Sequence, residues 1–395
     1  MKIVHTSDWH LGAELRHVSR LEDQMERVEE ILSICDERDA DVLLIAGDFL
    51  NETRPRRMET VLRRFAALLK PRLERGLQVV VVAGNHDHDW VFQLLHTARE
   101  LFGEAAGTRM RFVWKPELLV IENSRGERFR LVCLPYPRQP AYDLEAIQFK
   151  NAADRNHQLG DAVKQRILGY ETTIREDPEQ MPTVLMAHLL IQGMVAHDHE
   201  LSEEADVPIP RSYLPNFAYT ALGHVHLPTE LGSAATRYCG SMERMDFGEI
   251  GQERQVVLVE LDSTGRVRDP EAIALHPTEF IELEWHEGDD LVEMARAVPP
   301  EAICRLIINV PRGGNPQAVQ AQAKQLIARL CWPPEVRWEG DTASDGEDRS
   351  SLALERADWQ GSVRAYVAEQ VADDDALRAR LLEAVEELIA AEANS

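Results

Sequence analysis

Apolar positions in the first ninety residues alternate between two periods. Three short runs are continuously apolar or β-branched: Lys2–Thr6, the stretch from Asp41 to Ala46, and Leu77–Ala83. Between the first two, apolar residues at 21, 25, 28, 31, 32 and 35 share one face of a helix over 21–36, and a second helical pattern covers 58–73. Strand–helix–strand–helix–strand predicts parallel strands joined by right-handed crossovers. In such sheets, ligand-binding groups gather at the carboxyl ends of the strands.

From about 110 to 265 the runs shorten. Strands are expected over 111–122, 128–134, 183–187, 217–222, 236–239 and 255–261, with a helix over 154–175. That texture suits a second sheet packed on the first, and the two together make a domain over 1–270. Residues 276–340 read as a small α+β module, with strands at 280–285, 302–310 and 336–339 and helices at 291–297 and 316–330. The stretch 341–351 is polar, contains Gly346 and reads as a linker. After it, 352–395 reads as a helical segment in which Leu377, Leu381, Val385, Leu388 and Ile389 form one apolar stripe.

Composition narrows the class. No run of apolar residues is long enough to cross a bilayer, so no membrane association is expected. The first residues lack the apolar core of a signal peptide, and five scattered cysteines show no C-x-x-C pair. A reducing cytoplasm is the expected home. The net charge of −25 argues at first against a polyanionic partner. Its distribution changes that: residues 1–150 hold 22 Lys+Arg against 24 Asp+Glu, so the acidity belongs to the rest of the chain. The stretch 54–75 has a local net charge of +6, from Arg54, Arg56, Arg57, Arg63, Arg64, Lys70, Arg72 and Arg75 against Glu59 and Glu74. Arg54, Arg56, Arg57, Arg63 and Arg64 are therefore candidate contacts for the phosphates of a nucleic acid, with a solvated helix face as the alternative.

Candidate chemistry sits at the strand ends. Asp8-Trp9-His10, Gly47-Asp48, Gly84-Asn85-His86-Asp87 and Gly223-His224-Val225-His226 each follow an apolar run, and His188 ends another. Singly, such motifs are also ordinary turns and caps; five at strand ends in one chain point to a shared site. Carboxylate, imidazole and amide donors without sulfur favour Mn²⁺, Fe²⁺ or Zn²⁺ with open positions. A carboxylate at Asp48 is able to bridge two cations, and a cation pair suits phosphoryl transfer. Glycines beside three of the motifs are expected to let the backbone turn sharply. His-Val-His on a strand would put both imidazoles on one face.

The order Asp-x-His, Gly-Asp, Gly-Asn-His-Asp, His, Gly-His-x-His resembles the calcineurin-like metallophosphoesterases. Ser7-Asp8-Trp9-His10-Leu11-Gly12 and the extended tail resemble, within them, the SbcD-like nuclease subunits of SbcC–SbcD-type DNA-repair complexes. The resemblance implies an α/β fold: a β sandwich flanked by helices, with a capping domain at 276–340 and a C-terminal helical segment. It implies two divalent ions, Mn²⁺ first among them, with Asp8, His10 and His226 on one, Asn85, His188 and His224 on the other, and Asp48 between. His86 matches the catalytic histidine, and Asp87 is its expected orienting partner, or else a turn cap. Asn51 stands where several relatives place His or Asp. The implied function is a DNA nuclease, exonucleolytic (3′–5′) on duplex ends and endonucleolytic on hairpins, working in repair, recombination and replication. It would act as a homodimer, with 352–395 docking on an SbcC-type SMC-like ATPase. The alternatives are a phosphodiesterase or phosphatase on a small nucleotide or phosphoprotein, for which residues 270–395 are superfluous, and a non-catalytic subunit bridging DNA and an ATPase.

Overall fold

The computed structural model describes residues 1–51, 54–101, 109–194, 206–311 and 314–338. The linker and the C-terminal segment 352–395 lie outside the described residues. Two sheets carry the N-terminal part. The first runs Gly265–Arg266, Arg254–Asp262, Lys2–Thr6, Val42–Ile45, Gln78–Val82, Met110–Val113, with Glu271–Leu275 also paired to Arg254–Asp262. Its four strands from Lys2–Thr6 to Met110–Val113 are parallel. The second runs Thr229–Ser233, Thr236–Tyr238, Tyr219–Gly223, Thr183–His188, Arg128–Leu134, Glu117–Glu122.

The continuous apolar runs are explained by burial on both faces. Ile3, Val42, Leu44, Val80 and Val82 meet Leu131, Cys133, Val184, Met186 and Ala221 between the sheets. The alternate residues Val4, Leu43, Ile45, Val79 and Val81 pack outward against helices Leu21–Glu37 and Pro55–Arg75 through Met25, Val28, Ile31, Met58, Val61 and Phe65. On the far side, Val132, Leu185, Ala187 and Leu222 pack on Leu159, Val163 and Ile167 of helix Ala152–Glu176. Helix, sheet, sheet and helix therefore form four layers around three apolar seams, which is the expected sandwich.

One expectation is corrected and one helix added. The run 111–122 is not one strand: Met110–Val113 joins the first sheet and Glu117–Glu122 the second, with the break at Trp114–Pro116. Pro116 has no N–H to give a ladder, so the chain changes sheet there. The 3.6-residue period of Asp89–Leu101 went unread, and that stretch is a helix.

A third sheet is formed by Phe280–His286, Ile303–Val310 and Glu335–Trp338, with helix Leu291–Arg296 between its first two strands in the chain and helix Pro316–Leu326 between the last two. Phe280, Ile303 and Cys331 share a small core with Phe247, Leu15 and Val18. Arg329 reaches back to the Asp23 carboxylate and the Ser19 carbonyl. By contacts, residues 1–285, 289–307 and 317–335 form one unit, and 286–288, 308–316 and 336–338 fall in another. All five cysteines are buried and unpaired. No described helix is long and apolar enough to cross a membrane.

His5 sits between the sheets with Nδ1 2.9 Å from the Tyr219 hydroxyl. Burial, and then the charge of Arg237, push its pKa down to about 3 from 6.5. Below about pH 6.5 the unfolded chain binds a proton here that the fold refuses, so stability from this site is complete above that pH. It falls by about 1.4 kcal/mol per pH unit on the way down to the folded value. Urea unfolding at two pH values within that window should show a slope shallower by about 1 kcal/mol per unit in His5→Gln; an unchanged slope would remove His5 from this account.

Candidate metal centre

The five motifs meet at the carboxyl ends of the parallel strands. Asp8 and His10 follow Lys2–Thr6, Asp48 follows Val42–Ile45, and the Gly84–Asp87 loop follows Gln78–Val82; His188 ends its own strand and His224 follows Gly223. Four of these residues hold left-handed backbone: Asp8 at φ 52°, His10 at 44°, Asp48 at 50° and His224 at 105°. Such conformations cost about 1–3 kcal/mol each for residues with a Cβ. Reciprocal backbone bonds hold the first three: Asp8 N donates to Gly47 O at 3.0 Å, His10 N to Asp48 O at 2.8 Å and Leu11 N to Phe49 O at 3.1 Å, and Asn51 N donates back to Leu11 O at 3.0 Å; His224 N donates to Asp8 Oδ1 at 3.1 Å.

Glycine acts here chiefly through close approach. Gly47 has φ +96°, and a Cβ on it would lie 2.0 Å from His188 Nδ1. Gly84 lacks a left-handed backbone, yet a Cβ there would stand 2.1 Å from Asp48 Oδ1. The sharp turn expected of these glycines thus applies at Gly47, and at Gly84 the reason is room for the carboxylate.

Asp48 occupies the centre. Its Oδ2 lies 3.6 Å from His10 Nε2 and 3.4 Å from His188 Nε2. His10 Nε2 is 3.3 Å from His226 Nε2, and Asp8, His10 and His226 present ligand atoms within 4.8 Å of one another. On the other side, Asn85 Oδ1 is 3.0 Å from His188 Nε2 and 2.9 Å from His224 Nδ1. Burial opposes charge on Asp48, but the imidazoles of His188, His10 and His86 hold its carboxyl well below the usual range. Burial likewise opposes charge on His188, and Asp48 outweighs it, raising that imidazole to about 9. His188 Nδ1 lies 2.8 Å from the Ala46 carbonyl, so Nε2 is the nitrogen turned toward Asp48 Oδ2 and Asn85 Oδ1. Either a proton on Nε2 or a cation must stand among these three atoms, and an imidazole nitrogen, a carboxylate oxygen and an amide oxygen facing one point are a donor set that fits divalent metal.

His86 is exposed at the solvent edge of the cluster, its ring edge-on to His10 with centroids 4.7 Å apart and its backbone N–H on Asp48 Oδ1 at 2.8 Å. The pairing expected between Asp87 and His86 is corrected. Asp87 is buried, and its carboxylate accepts from Phe49 N, Leu50 N and Gly84 N at 3.1, 2.8 and 2.9 Å. It is a turn clamp that ties the third loop to the second. Burial, and then Asp48, raise its pKa to about 7 against those three N–H donors. His224 and His226 lie beyond the strand Tyr219–Gly223 in a turn, so the shared-face argument for them does not hold; they reach opposite sides of Asp48.

The arginine-rich face carries less free positive charge than its local count suggests. Arg57 pairs with Glu14, Arg63 with Glu59, and Arg64 with both oxygens of Glu22 at 2.5 and 2.7 Å. Arg54 lies 4.0 Å from Glu14, and Arg72 and Arg75 hold Glu29 and Asp36. The local count of +6 includes Glu59 but omits Glu14, Glu22, Glu29 and Asp36, the last three brought by the neighbouring helix Leu21–Glu37. Arg56 is exposed.

Three residues escaped the sequence reading. Arg138 gives its guanidinium to the carbonyls of Gly84, Asn85 and Asp87 and holds the loop from outside. Asp206 touches His224, and Glu249 touches His226. Burial opposes charge on both carboxylates, and the histidine bond in each case holds the pKa down to about 2. Their only sequence signal is an acid in an otherwise unremarkable loop.

A family model for calcineurin-like phosphoesterases matches residues 1–228. The chain belongs to that family. It is 29% identical over 276 residues to the SbcD component of the nuclease SbcCD of Bacillus subtilis, a match that takes in 66% of this chain and 66% of that protein, just under two thirds of it. Among solved structures it resembles a dimetal phosphatase from Danio rerio (12% identity, TM-score 0.42, 69% of this chain and 98% of that one). It also resembles a phosphopantetheinyl hydrolase from Mycobacterium tuberculosis (15% identity, TM-score 0.34, 61% of this chain and 90% of that one). Calcineurin-like phosphoesterases work through a dimetal centre, and the cluster around Asp48 supplies candidate ligands for one.

Replacing Asp87 with Asn leaves one acceptor oxygen for three buried N–H groups. Asp87→Asn should lose about 2 kcal/mol of unfolding free energy in urea; a loss below about 0.5 kcal/mol, the scale of a neutral surface change, would remove the clamp.

Proposed function

We propose that the chain is a Mn²⁺-dependent DNA nuclease that hydrolyses phosphodiester bonds at duplex ends, 3′–5′, and opens hairpins. In this reading it is the nuclease subunit of an SbcC–SbcD-type repair complex. The convergence of six donor residues around Asp48 carries the proposal, and the likeness to an SbcD protein supports the choice of DNA over a small phosphoester. Asp8, His10 and His226 would hold one ion, Asn85, His188 and His224 the second, and Asp48 both.

When bound, such a pair supplies positive charge to the non-bridging phosphate oxygens and an activated water. The chain's own residues supply the rest. His86, exposed and edge-on to His10, stands where it could protonate the leaving oxygen or steady the phosphate. Its backbone N–H, fixed on Asp48, sets the ring relative to the bridging carboxylate. Asp87 and Arg138 grip the His86 loop from inside and outside, so the acid does not drift from the scissile bond.

The remaining assignments follow the same reading. Residues 276–340 would cap the site and angle the duplex, 341–351 would be a linker, and two copies would pair. The segment 352–395, with 4 basic and 10 acidic residues over 351–395, is unsuited to DNA and suited to a groove on an SMC-like ATPase. Exposed arginines of helix Pro55–Arg75 would contact phosphate only by exchanging their carboxylate partners for it.

Purified protein with Mn²⁺ should cut linear duplex DNA, and His86→Asn should lower the rate at least ~100-fold while Mn²⁺ still binds. Cleavage confined to a small phosphodiester would overturn the nuclease reading. Deleting 351–395 should leave cutting intact and abolish co-purification with the ATPase; retention of that partner would overturn the docking assignment.

A further inference from the structure

We propose that Asp206 and Glu249 are positioning residues that hold His224 and His226 in opposite tautomers, so that each ring turns one lone pair into the site. The inference rests on reading the two rings as metal ligands, and it concerns how a two-residue step in the chain serves two sides of Asp48.

A buried, ionised carboxylate accepts hydrogen bonds and gives none. Asp206 Oδ2 lies 2.6 Å from His224 Nε2, so that nitrogen carries the proton. The bare nitrogen is then Nδ1, which is the atom 2.9 Å from Asn85 Oδ1 and 3.3 Å from His188 Nε2. For His226 the roles reverse. Glu249 Oε1 lies 3.2 Å from Nδ1, which leaves Nε2 bare, and Nε2 is the atom 3.3 Å from His10 Nε2. One histidine serves its side of the cluster through Nδ1 and the other through Nε2.

Each carboxylate is itself fixed. Asp206 Oδ1 accepts from the Tyr136 hydroxyl at 2.7 Å and from Val207 N at 2.8 Å. Glu249 Oε2 accepts from Met245 N at 2.6 Å and pairs with the fully buried Arg254. Both acids are buried, and neither belongs to the converging groups around Asp48. Their negative charge strengthens the ring as a donor, and they fix its rotation about Cβ–Cγ. A ring without such a partner exchanges tautomers, and its lone pair faces the site only part of the time.

The test reads the proton directly. In the metal-free full-length chain labelled with nitrogen-15 histidine, at a pH raised until the His224 and His226 signals are those of neutral imidazole, His224 should carry its proton on Nε2 and His226 on Nδ1. Asp206→Ala should mix the His224 tautomers and leave those of His226 unchanged. Glu249→Gln, which spares the packing beside Arg254, should do the converse. Mn²⁺ affinity by calorimetry should fall about 10- to 100-fold in Asp206→Ala and recover in part in Asp206→Glu, with the unfolding midpoint moving far less. A His224 proton on Nδ1 in the wild type, or Mn²⁺ affinity in Asp206→Ala within twofold of wild type, would overturn the proposal. Loss of DNA cleavage with tautomers and Mn²⁺ binding as stated would instead count against the nuclease reading alone.

Discussion

A buried carboxylate must be surrounded by partners or it will not stay ionised, and Asp48 is the residue around which this chain meets that demand. Its Oδ1 takes the backbone N–H of His86, and its Oδ2 stands between His10 and His188. Five loops from two sheets are drawn to that one side chain. Gly47 and Gly84 leave out the Cβ atoms that would block it, and Asp87 fastens the loop carrying His86 to the loop carrying Asp48. The geometry of the donor cluster is therefore set by a requirement of one carboxylate, and the remaining donors take positions that the same requirement leaves open.

Charge is arranged on two scales. At the site, imidazoles and a central carboxylate balance one another within a few ångströms. On the outer helical layer, Arg57, Arg64, Arg72 and Arg75 interleave with Glu14, Glu22, Glu29 and Asp36. Exposed pairs of this kind contribute little to stability, about 0–1 kcal/mol each, but they neutralise a face that looks strongly basic when one helix is counted alone. Summing charge along a chain assumes that neighbours in sequence are neighbours in space. Here the helices Leu21–Glu37 and Pro55–Arg75 lie side by side, so the assumption fails where it seemed most informative.

The parallel strands and the seven donor residues were legible because both obey local rules. A run such as Val42–Ala46 is apolar at every position only if both faces are buried, and a doubly buried strand belongs inside a layered sheet. Donors such as Asp48 and Asn85 stand at the ends of such runs, where a parallel sheet gathers ligands. What went unread depends on contacts between distant segments. The carboxylate of Asp87 could have faced His86 or the backbone, and the choice was made by Phe49 and Leu50, 38 and 37 residues away. Asp206 and Glu249 carry no periodicity, and their roles appear only when the turn after Gly223 brings His224 and His226 to them.

The strain at the site and the depth of the core belong to one argument. Asp8, His10, Asp48 and His224 each sit in left-handed backbone, at about 1–3 kcal/mol apiece. Together that is of the order of the whole net stability of a domain, about 5–15 kcal/mol. Such conformations persist only where the surroundings leave no alternative. Each strained residue closely follows a strand buried on both faces, and Ile3, Leu44 and Ala221 are completely sealed from solvent. Relaxing His10 or Asp48 toward ordinary backbone would break the reciprocal bonds between their loops and pull Lys2–Thr6 and Val42–Ile45 out of register. A one-residue slip would move every side chain to the wrong seam. The apolar sandwich is thus what holds the donor geometry in place, and the strain is tolerable because register in a doubly packed sheet is so costly to change.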